Sequence, residues 1–259
     1  MNSKKINVLS FDIVGKQAHF RKPFANTTRT TFLFPPKTTI IGLLGAIMGF
    51  PKIENISQES EVIYGGIEEK DIYNYNDYKI NVLFDSVGER KFTTINHKKD
   101  SKSNKQVPFE FLQGNIKYTI LVYHPNSEFI QSLYQRIVDE SPVYPVSLGV
   151  AFCRAHMQNT KIINAKNINQ TEDEIYTRGL VPKDIFLGEV YGDDILTKIE
   201  SDIIPVSFNS KRQVQKNEKV YFSQNGGLRF SLDNDSIYYQ NYNLYSDEES
   251  DNSECFFLI

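Results

Sequence analysis

The chain contains no tryptophan, only two cysteines in 259 residues, and no long apolar run. Cys153 and Cys255 lie too far apart in the sequence for a metal-binding motif or a disulfide framework. The longest apolar run, from Ile40 to Phe50, has eleven residues, well short of the ~20 needed to span a bilayer. The N-terminus lacks the apolar segment of a signal peptide. These absences predict a cytoplasmic protein with no metal, no other cofactor and no membrane partner.

The net charge of −3 conceals two basic segments in an otherwise acidic chain. Residues 1–41 contain seven lysines and arginines against one aspartate, and residues 90–105 contain six against one. Together these segments leave a charge of −14 on the remaining residues. A basic face on an acidic body is typical of proteins that bind nucleic acid. Each segment taken alone is equally compatible with a solvated surface.

The pattern of apolar residues predicts the element order of an α+β, ferredoxin-like βαββαβ domain over residues 1–157. The elements are a strand over Ile6–Val14, a helix beginning at Thr38 or Thr39, strands over Lys79–Val87 and Ile116–His124, a helix over Ser127–Asp139 and a strand over Val146–Met157. Thr38 or Thr39 and Ser127 are the expected helix caps.

A long insertion separates the second and third predicted strands. Its basic, polar sequence predicts a β-hairpin over 88–114, running out over Arg90–Ile95 and back over Val107–Leu112. Residues 158–245 hold shorter extended runs in a polar background, which predicts a small β-rich extension. The run SDEESDNSE at 246–254 has five acids and no base, so we expect 246–259 to form an acidic, flexible tail.

Three segments together resemble the CRISPR-associated Cas-five family, and within it the type I-B branch. They are HFRKPF at 19–24, TFLFPPKTTIIGLLGAIMG at 31–49 and SPVYPVSLGVAF at 141–152. The resemblance implies an RRM/RAMP-type fold and a subunit of an antiviral ribonucleoprotein, the Cascade surveillance complex. Such a subunit binds the 5′ handle of the guide RNA (crRNA) and caps the backbone filament. The implied partners are the backbone Cas-seven subunit, the large Cas-eight subunit and, indirectly, target DNA; the hairpin over 88–114 would be a thumb that enters the filament.

The candidate RNA-binding residues combine cations, flat rings and small residues, the mixture that holds single-stranded RNA. They are Lys16, His19, Phe20, Arg21, Lys22, Arg29, Lys37, Thr38, Gly149 and Arg154. Lys37 and the free amides near Thr38 would bind a phosphate at a helix N-terminus. Gly149 would let the backbone approach RNA closely, with a strand bulge as an equal alternative. The alternative for the whole cluster is that Phe20 is core and the cations are solvated.

The candidate thumb residues would follow the RNA backbone as point charges. They are Arg90, Lys91, His97, Lys98, Lys99, Lys102 and Lys105. The alternative is a solvated loop, and with it a protein–protein module in which both basic segments only add solubility.

A further alternative is a metal-independent endoribonuclease that processes precursor guide RNA, as in one branch of the family. His97 and Lys98 would then supply a base and a cation. The tip of a hairpin is a poor place to hold catalytic geometry. In the type I-B branch, by resemblance, a separate Cas-six nuclease does the processing. The sequence therefore favours a non-catalytic subunit.

Overall fold

The computed structural model describes most of the chain, in ranges separated by short gaps. The described residues are 5–25, 28–57, 59–98, 104–167, 175–183, 190–192, 198–224, 226–230, 244–247 and 255–259. They form two α-helices, α1 (Lys37–Met48) and α2 (Ser127–Val138), and neither is long and apolar enough to cross a membrane. The strands within these ranges are β1 (Lys5–Ala18), β2 (Phe20–Arg21), β3 (Thr31–Phe32), β4 (Ile63–Tyr64), β5 (Ile67–Glu68), β6 (Lys79–Ser86), β7 (Glu89–Lys98), β8 (Asn104–Tyr123), β9 (Ala155–Asn167), β10 (Ile175–Thr177), β11 (Val181–Pro182), β12 (Val190–Gly192), β13 (Ile199–Phe208), β14 (Val214–Ser223), β15 (Leu228–Phe230), β16 (Leu244–Asp247) and β17 (Cys255–Phe257).

One antiparallel sheet organises the molecule, in the strand order β17-β16-β9-β1-β8-β6. The long strand β8 pairs with different strands along its two halves. Its first half pairs with β7, from Lys98 opposite Asn104 to Glu89 opposite Gln113, and its second half lies between β1 and β6. The β7–β8 hairpin is therefore a direct continuation of the central sheet, at the place where the sequence predicts it.

Both helices bury their apolar sides against one face of this sheet, in a single large core. Helix α1 begins directly after the double proline, because proline excludes a helical residue before it. Pro36 precedes the helix without any side-chain cap, so the expected cap at Thr38 or Thr39 is wrong. Helix α2 is capped one residue earlier than predicted: the amide of Phe129 donates to Oδ1 of Asn126 at 3.0 Å, and Ser127 already belongs to the helix.

The end of the chain forms the edge strand β17 of this sheet, and its last residue pairs with β6 at the other edge. Phe256 and Leu258 pack in a second buried cluster with residues of β1, β6 and β9. The amide of Ile80 donates to the carbonyl of Ile259 at 3.0 Å, and the amide of Ile259 donates back at 3.1 Å. The prediction of a flexible tail over 246–259 is therefore wrong for 255–259, and also for Ser246 and Asp247, which pair with β9 as part of β16. The acidic run precedes an apolar end, CFFLI, whose burial stabilises the fold by roughly 25 cal/mol per Å² of apolar surface.

The fourth predicted strand is displaced along the chain. It was expected over Val146–Met157, but β9 begins at Ala155 and ends at Asn167, so the expected domain boundary at 157 falls inside a strand. Residues 146–154 form a tight turn instead, in which the amide of Leu148 donates to the carbonyl of Cys153 at 2.8 Å. Val146, Leu148 and Cys153 are buried in this turn, so its sequence resembles a strand, although Phe152 is exposed.

Beyond β9 the chain forms smaller sheets, in the orders β10-β15-β12 and β11-β14-β13. The β13–β14 hairpin packs against α1, with a turn at 209–213. It therefore lies beside the helix face that the central sheet does not cover.

Asn81, fully buried in β6, joins three segments through its side chain. Its Nδ2 donates to the carbonyl oxygens of Phe257 at 2.6 Å and Leu180 at 3.1 Å, and its Oδ1 accepts from the Leu180 amide at 2.9 Å. We expect Asn81→Ala to lower the free energy of unfolding by about 2–4 kcal/mol, because it leaves several buried polar groups unpaired. Urea denaturation measures this. The exposed Asn74→Ala should change stability by less than ~0.5 kcal/mol, and equal stability of both variants would contradict the role of Asn81.

Candidate nucleic-acid interface

A buried carboxylate fixes the basic N-terminal segment to the base of the hairpin. Glu110 on β8 accepts from the amide of Thr31 at 2.8 Å and from Nη1 of Arg90 at 3.1 Å. Its side chain is only 4% exposed. Its backbone amide also donates to the carbonyl of Arg29 at 2.9 Å. Sequence reasoning missed Glu110, although an acid between two phenylalanines of a strand is a signal that it is buried with a partner.

His19 and Phe20 lie beneath the surface and offer no open ring face to a base. His19 is 2% exposed, its Nδ1 lies 2.7 Å from the carbonyl oxygen of Glu110, and its ring stacks on Phe109 at 4.1 Å between centroids. Burial lowers the pKa of His19, although the hydrogen bond to the carbonyl opposes this. Phe20 is 1% exposed and packs edge-on against Tyr118. The prediction that these two rings stack on RNA is therefore wrong. They are buried and support the cavity described below from within the core.

The two neighbouring cations have different roles. Arg21 is exposed and lines a cavity beside α1. Lys22 forms an ion pair with Asp202 of β13, and its Nζ lies 4.9 Å from the centroid of the Phe32 ring. Lys22 therefore ties the N-terminal segment to the β13–β14 hairpin, and of these two cations Arg21 is the one that lines the cavity.

A cavity of about 590 Å³, the first of two along α1, is lined by residues from all three segments that carry the family resemblance. The first segment contributes Arg21, the second contributes Thr38, and the third contributes Gly149. The complete lining is His19, Phe20, Arg21, Pro23, Pro36, Thr38, Thr39, Gly42, Leu43, Ala46, Pro145, Ser147, Gly149, Val150, Pro205, Phe208 and Arg212. The fold thus brings together residues that are up to about 190 positions apart in the sequence.

Gly149 packs tightly against the protein's own backbone at His19. Its φ is +95°, a conformation that L side chains rarely adopt, and a Cβ atom there would lie 2.0 Å from the carbonyl oxygen of His19. The amide of His19 donates to the carbonyl of Leu148 at 3.0 Å, which locks the turn at 146–154 onto the start of β2. Gly149 therefore shapes the cavity, and the close approach predicted for RNA is made by protein backbone.

A second cavity of about 600 Å³ continues the first along α1. The two share five lining residues, Thr38, Gly42, Ala46, Phe208 and Arg212, and we refer to the combined space as the α1 groove. The second cavity adds Gly45, Phe50, Pro51, Lys52, Ile53, Asn55, Tyr73, Tyr75 and Tyr144. No aspartate or glutamate belongs to either lining within the described residues, whereas Arg21, Lys52 and Arg212 do.

The remaining candidate cations lie outside the groove lining. Lys16 is exposed and donates to Asn115, and Arg154 is exposed at the end of the turn at 146–154. The backbone of Arg29 bridges to β8 at Phe109. The side chain of Lys37 is partly buried beside β14, so the helix N-terminus does not present it to the cavity.

The cations at the base of the hairpin are already paired, and its tip is described only in part. Arg90 bonds to Glu110, and Nζ of Lys91 lies 2.6 Å from Oε2 of Glu89. His97 pairs through its backbone with Lys105, and Lys98 pairs with Asn104. The side chains of His97, Lys98 and Lys105, and all of Lys99 and Lys102, lie outside the described part of the chain.

Comparisons with known proteins point to one family. The model of the family described as CRISPR-associated protein (Cas_Cas5) matches residues 8–218. No curated protein matches the sequence.

Several solved structures are similar in fold. A CRISPR protein from Archaeoglobus fulgidus is 12% identical, with a TM-score of 0.51, over 98% of this chain and 99% of that chain. A chain of a CRISPR RNA-guided surveillance complex is 13% identical, with a TM-score of 0.46, over 85% of this chain and 91% of that chain. A chain of the Type III-B Cmr-beta complex bound to cognate target RNA and AMPPnP is 13% identical, with a TM-score of 0.45, over 86% of each.

The two glycines that line the first cavity should respond in opposite ways to a methyl group. Gly149→Ala would place its Cβ against the His19 carbonyl at a positive φ, so we expect a loss of more than about 2 kcal/mol in the free energy of unfolding. A Cβ on Gly42 meets nothing within 4 Å, and alanine favours a helix, so Gly42→Ala should be neutral or stabilising by up to ~1 kcal/mol. Chemical denaturation of both variants tests this, and similar losses in both would contradict the geometry.

The buried position of Lys37 predicts a pH dependence of stability. Burial lowers its pKa to about 8, although Glu218 opposes this, whereas an unfolded lysine has a pKa of about 10.4. Between these values the unfolded chain binds more protons, so stability should rise with pH from about 8 to about 10.

Lys37→Met should remove that rise and increase the free energy of unfolding near pH 7 by about 1–2 kcal/mol. Denaturant titrations at a series of pH values compare the variant with the wild type. The exposed Lys211→Met serves as the control, and a Lys37→Met variant with the wild-type pH profile would contradict the assignment.

Proposed function

The chain belongs to the CRISPR-associated Cas-five family, and on that premise we propose that it is a non-catalytic, RNA-binding subunit of an RNA-guided CRISPR complex. Its ligand in this proposal is the 5′ handle of the guide RNA, and its place is the end of the backbone filament. The type I-B branch, the Cas-seven and Cas-eight partners and the indirect role in target DNA binding are parts of the same proposal.

One observation carries the proposal: three segments with the family's sequence pattern converge on one cavity that has cations but no acid in its described lining. The chain as a whole has more acids than bases, so a lining of this kind is not a consequence of composition. Phosphate groups favour such a surface because cations neutralise them and release condensed counterions. Arg21 provides an exposed guanidinium for this purpose, and the open space above Gly42 leaves room for a strand.

The fold supports the proposal through its strand order. Strands β9-β1-β8-β6 lie side by side, with α1 between β1 and β6 in the sequence and α2 between β8 and β9. We infer a ferredoxin-like βαββαβ core of the RRM/RAMP type, with the β7–β8 hairpin as a thumb between its second and third strands. In this proposal a neighbouring subunit of the filament would meet the hairpin.

An RNA-binding assay in EDTA tests the proposal. The purified chain is incubated with labelled repeat RNA, and bound and cleaved species are resolved on gels. We expect binding without cleavage, weakening as salt rises. Arg21→Glu should lower the affinity about tenfold or more, since it reverses one of the two arginine charges in the described lining of the first cavity. Lys70→Glu, on an exposed lysine paired with Glu68, is the matched control and should bind like the wild type.

Two results would overturn the proposal. An absence of RNA binding at low salt would remove the RNA-binding role. A discrete RNA product that disappears in His97→Ala would instead identify a metal-independent processing nuclease.

A further inference from the structure

We propose that the tyrosine-lined end of the α1 groove is a second subsite, which takes unpaired bases of the same RNA strand. The site is formed by Tyr73, Tyr75 and Tyr144 with Lys52 and Arg212. This inference rests on the proposed function, because the strand reaches the subsite from the first cavity.

The groove offers a continuous path between the two cavities. Both are lined by the same face of α1, through Thr38, Gly42 and Ala46. These residues are small, and the space above Gly42 is open, since an added Cβ would meet no atom within 4 Å. A strand lying in the first cavity can therefore continue along the helix without crossing a barrier of side chains.

The far end of the groove is built from aromatic rings that are held in place. The hydroxyl of Tyr73 donates to the carbonyl of Pro51 at 2.8 Å, and the rings of Tyr73 and Tyr75 lie 6.4 Å apart with a tilt of 33°. Tyr75 meets Phe208 edge-on at 6.5 Å. Tyr144 is 54% exposed, while its amide donates to the carbonyl of Ala46 at 2.9 Å. Tyr73 and Tyr75 are partly buried, whereas the exposed ring of Tyr144 on a fixed backbone is a suitable platform for a stacked base.

Arg212 stands at the junction of the two cavities, on a turn that positions it firmly. Its φ of +58° is uncommon for a residue with a side chain. Asn209 holds the turn: its Oδ1 accepts from the amides of Lys211 at 3.0 Å and Gln213 at 2.9 Å, and its carbonyl accepts from the Arg212 amide at 2.8 Å. The fold thus maintains an unfavourable backbone conformation at the residue whose guanidinium faces the groove.

The charge near the tyrosines agrees with an anionic ligand. Burial raises the pKa of Tyr73, and that of Tyr75 to about 12, while the nearby guanidinium of Arg212 opposes both shifts. The described lining of this end contains Lys52 and Arg212 and no carboxylate. Rings and cations together, without acids, match the backbone and the bases of a single strand better than an acidic or apolar peptide.

Binding of oligouridines of two lengths tests the inference, because stacking on aromatic rings tolerates any base. The probes have about 4 and about 10 nucleotides, within the range of single-strand site sizes. We expect the longer probe to bind at least fivefold more tightly. Tyr144→Ala should remove most of that advantage without affecting the shorter probe, and Tyr144→Phe should restore it, since the ring is retained.

A charge-matched pair of variants tests the junction. Arg212→Glu should weaken binding of the longer probe about tenfold, whereas Lys211→Glu makes the same change of charge on the same turn but outside the groove lining and should have little effect. Thermal unfolding of each variant shows whether the fold is retained. Arg212→Gly, which suits the positive φ, separates the loss of the guanidinium from backbone strain.

The outcomes separate this inference from the proposed function. Binding that depends on Arg21 but is equal for the two probes, and unchanged in Tyr144→Ala, would overturn the second subsite and leave the first. Binding of neither probe at low salt would overturn both. A uridine analogue that crosslinks under light to Tyr73, Tyr75 or Tyr144 would support the subsite directly, and crosslinks confined to other segments would overturn it.

Discussion

The candidate site depends on one buried carboxylate. Glu110 lies in the hairpin strand that continues into the central sheet, and it binds both the Thr31 amide and the Arg90 guanidinium. A carboxylate this deeply buried is costly unless its hydrogen bonds are satisfied. The segment after β1 is therefore held against the base of the hairpin, where the ring of His19 and the peptide groups of Arg29 add further bonds to β8. This arrangement carries Arg21 to the mouth of the groove beside α1.

The distribution of partners decides which basic residues remain available to a ligand. Lys22 is engaged by Asp202, Lys91 by Glu89 and Arg90 by Glu110. Their charges contribute to the basic segments of the sequence, but in the fold they join strands to one another. The Lys22–Asp202 pair in particular holds β13 near the N-terminal segment, so that the β13–β14 hairpin closes the groove on the side opposite the turn at 146–154. A count of charge along the sequence therefore overstates the charge that an RNA would meet.

The sequence predicts local features of this fold better than distant ones. The double proline predicts where α1 begins, and the basic, polar sequence between two strand-like runs predicts the β7–β8 hairpin, because both are local features of the chain. The turn at 146–154 was predicted as a strand because the sequence pattern of buried apolar residues is similar in a strand and in a packed turn. The end of the chain was predicted as flexible because its acidic run was weighed above the apolar residues that follow, whose partner, β6, lies about 170 positions earlier.

The groove itself is invisible to sequence patterns for a related reason. Its lining comes from α1, the segment before β6, the turn at 146–154 and the β13–β14 hairpin, and none of these is distinctive alone. Arg212 is an example: nothing in the sequence distinguishes it from other arginines. Its place in the groove lining follows from its positive φ and from the turn held by Asn209, which only the structure shows. A glycine would adopt that φ at lower cost, so stability alone gives no reason for a side chain at this position. The cost is understandable if the guanidinium serves a ligand, and the aromatic residues that share its cavity suit the bases of the single strand that we propose to bind there.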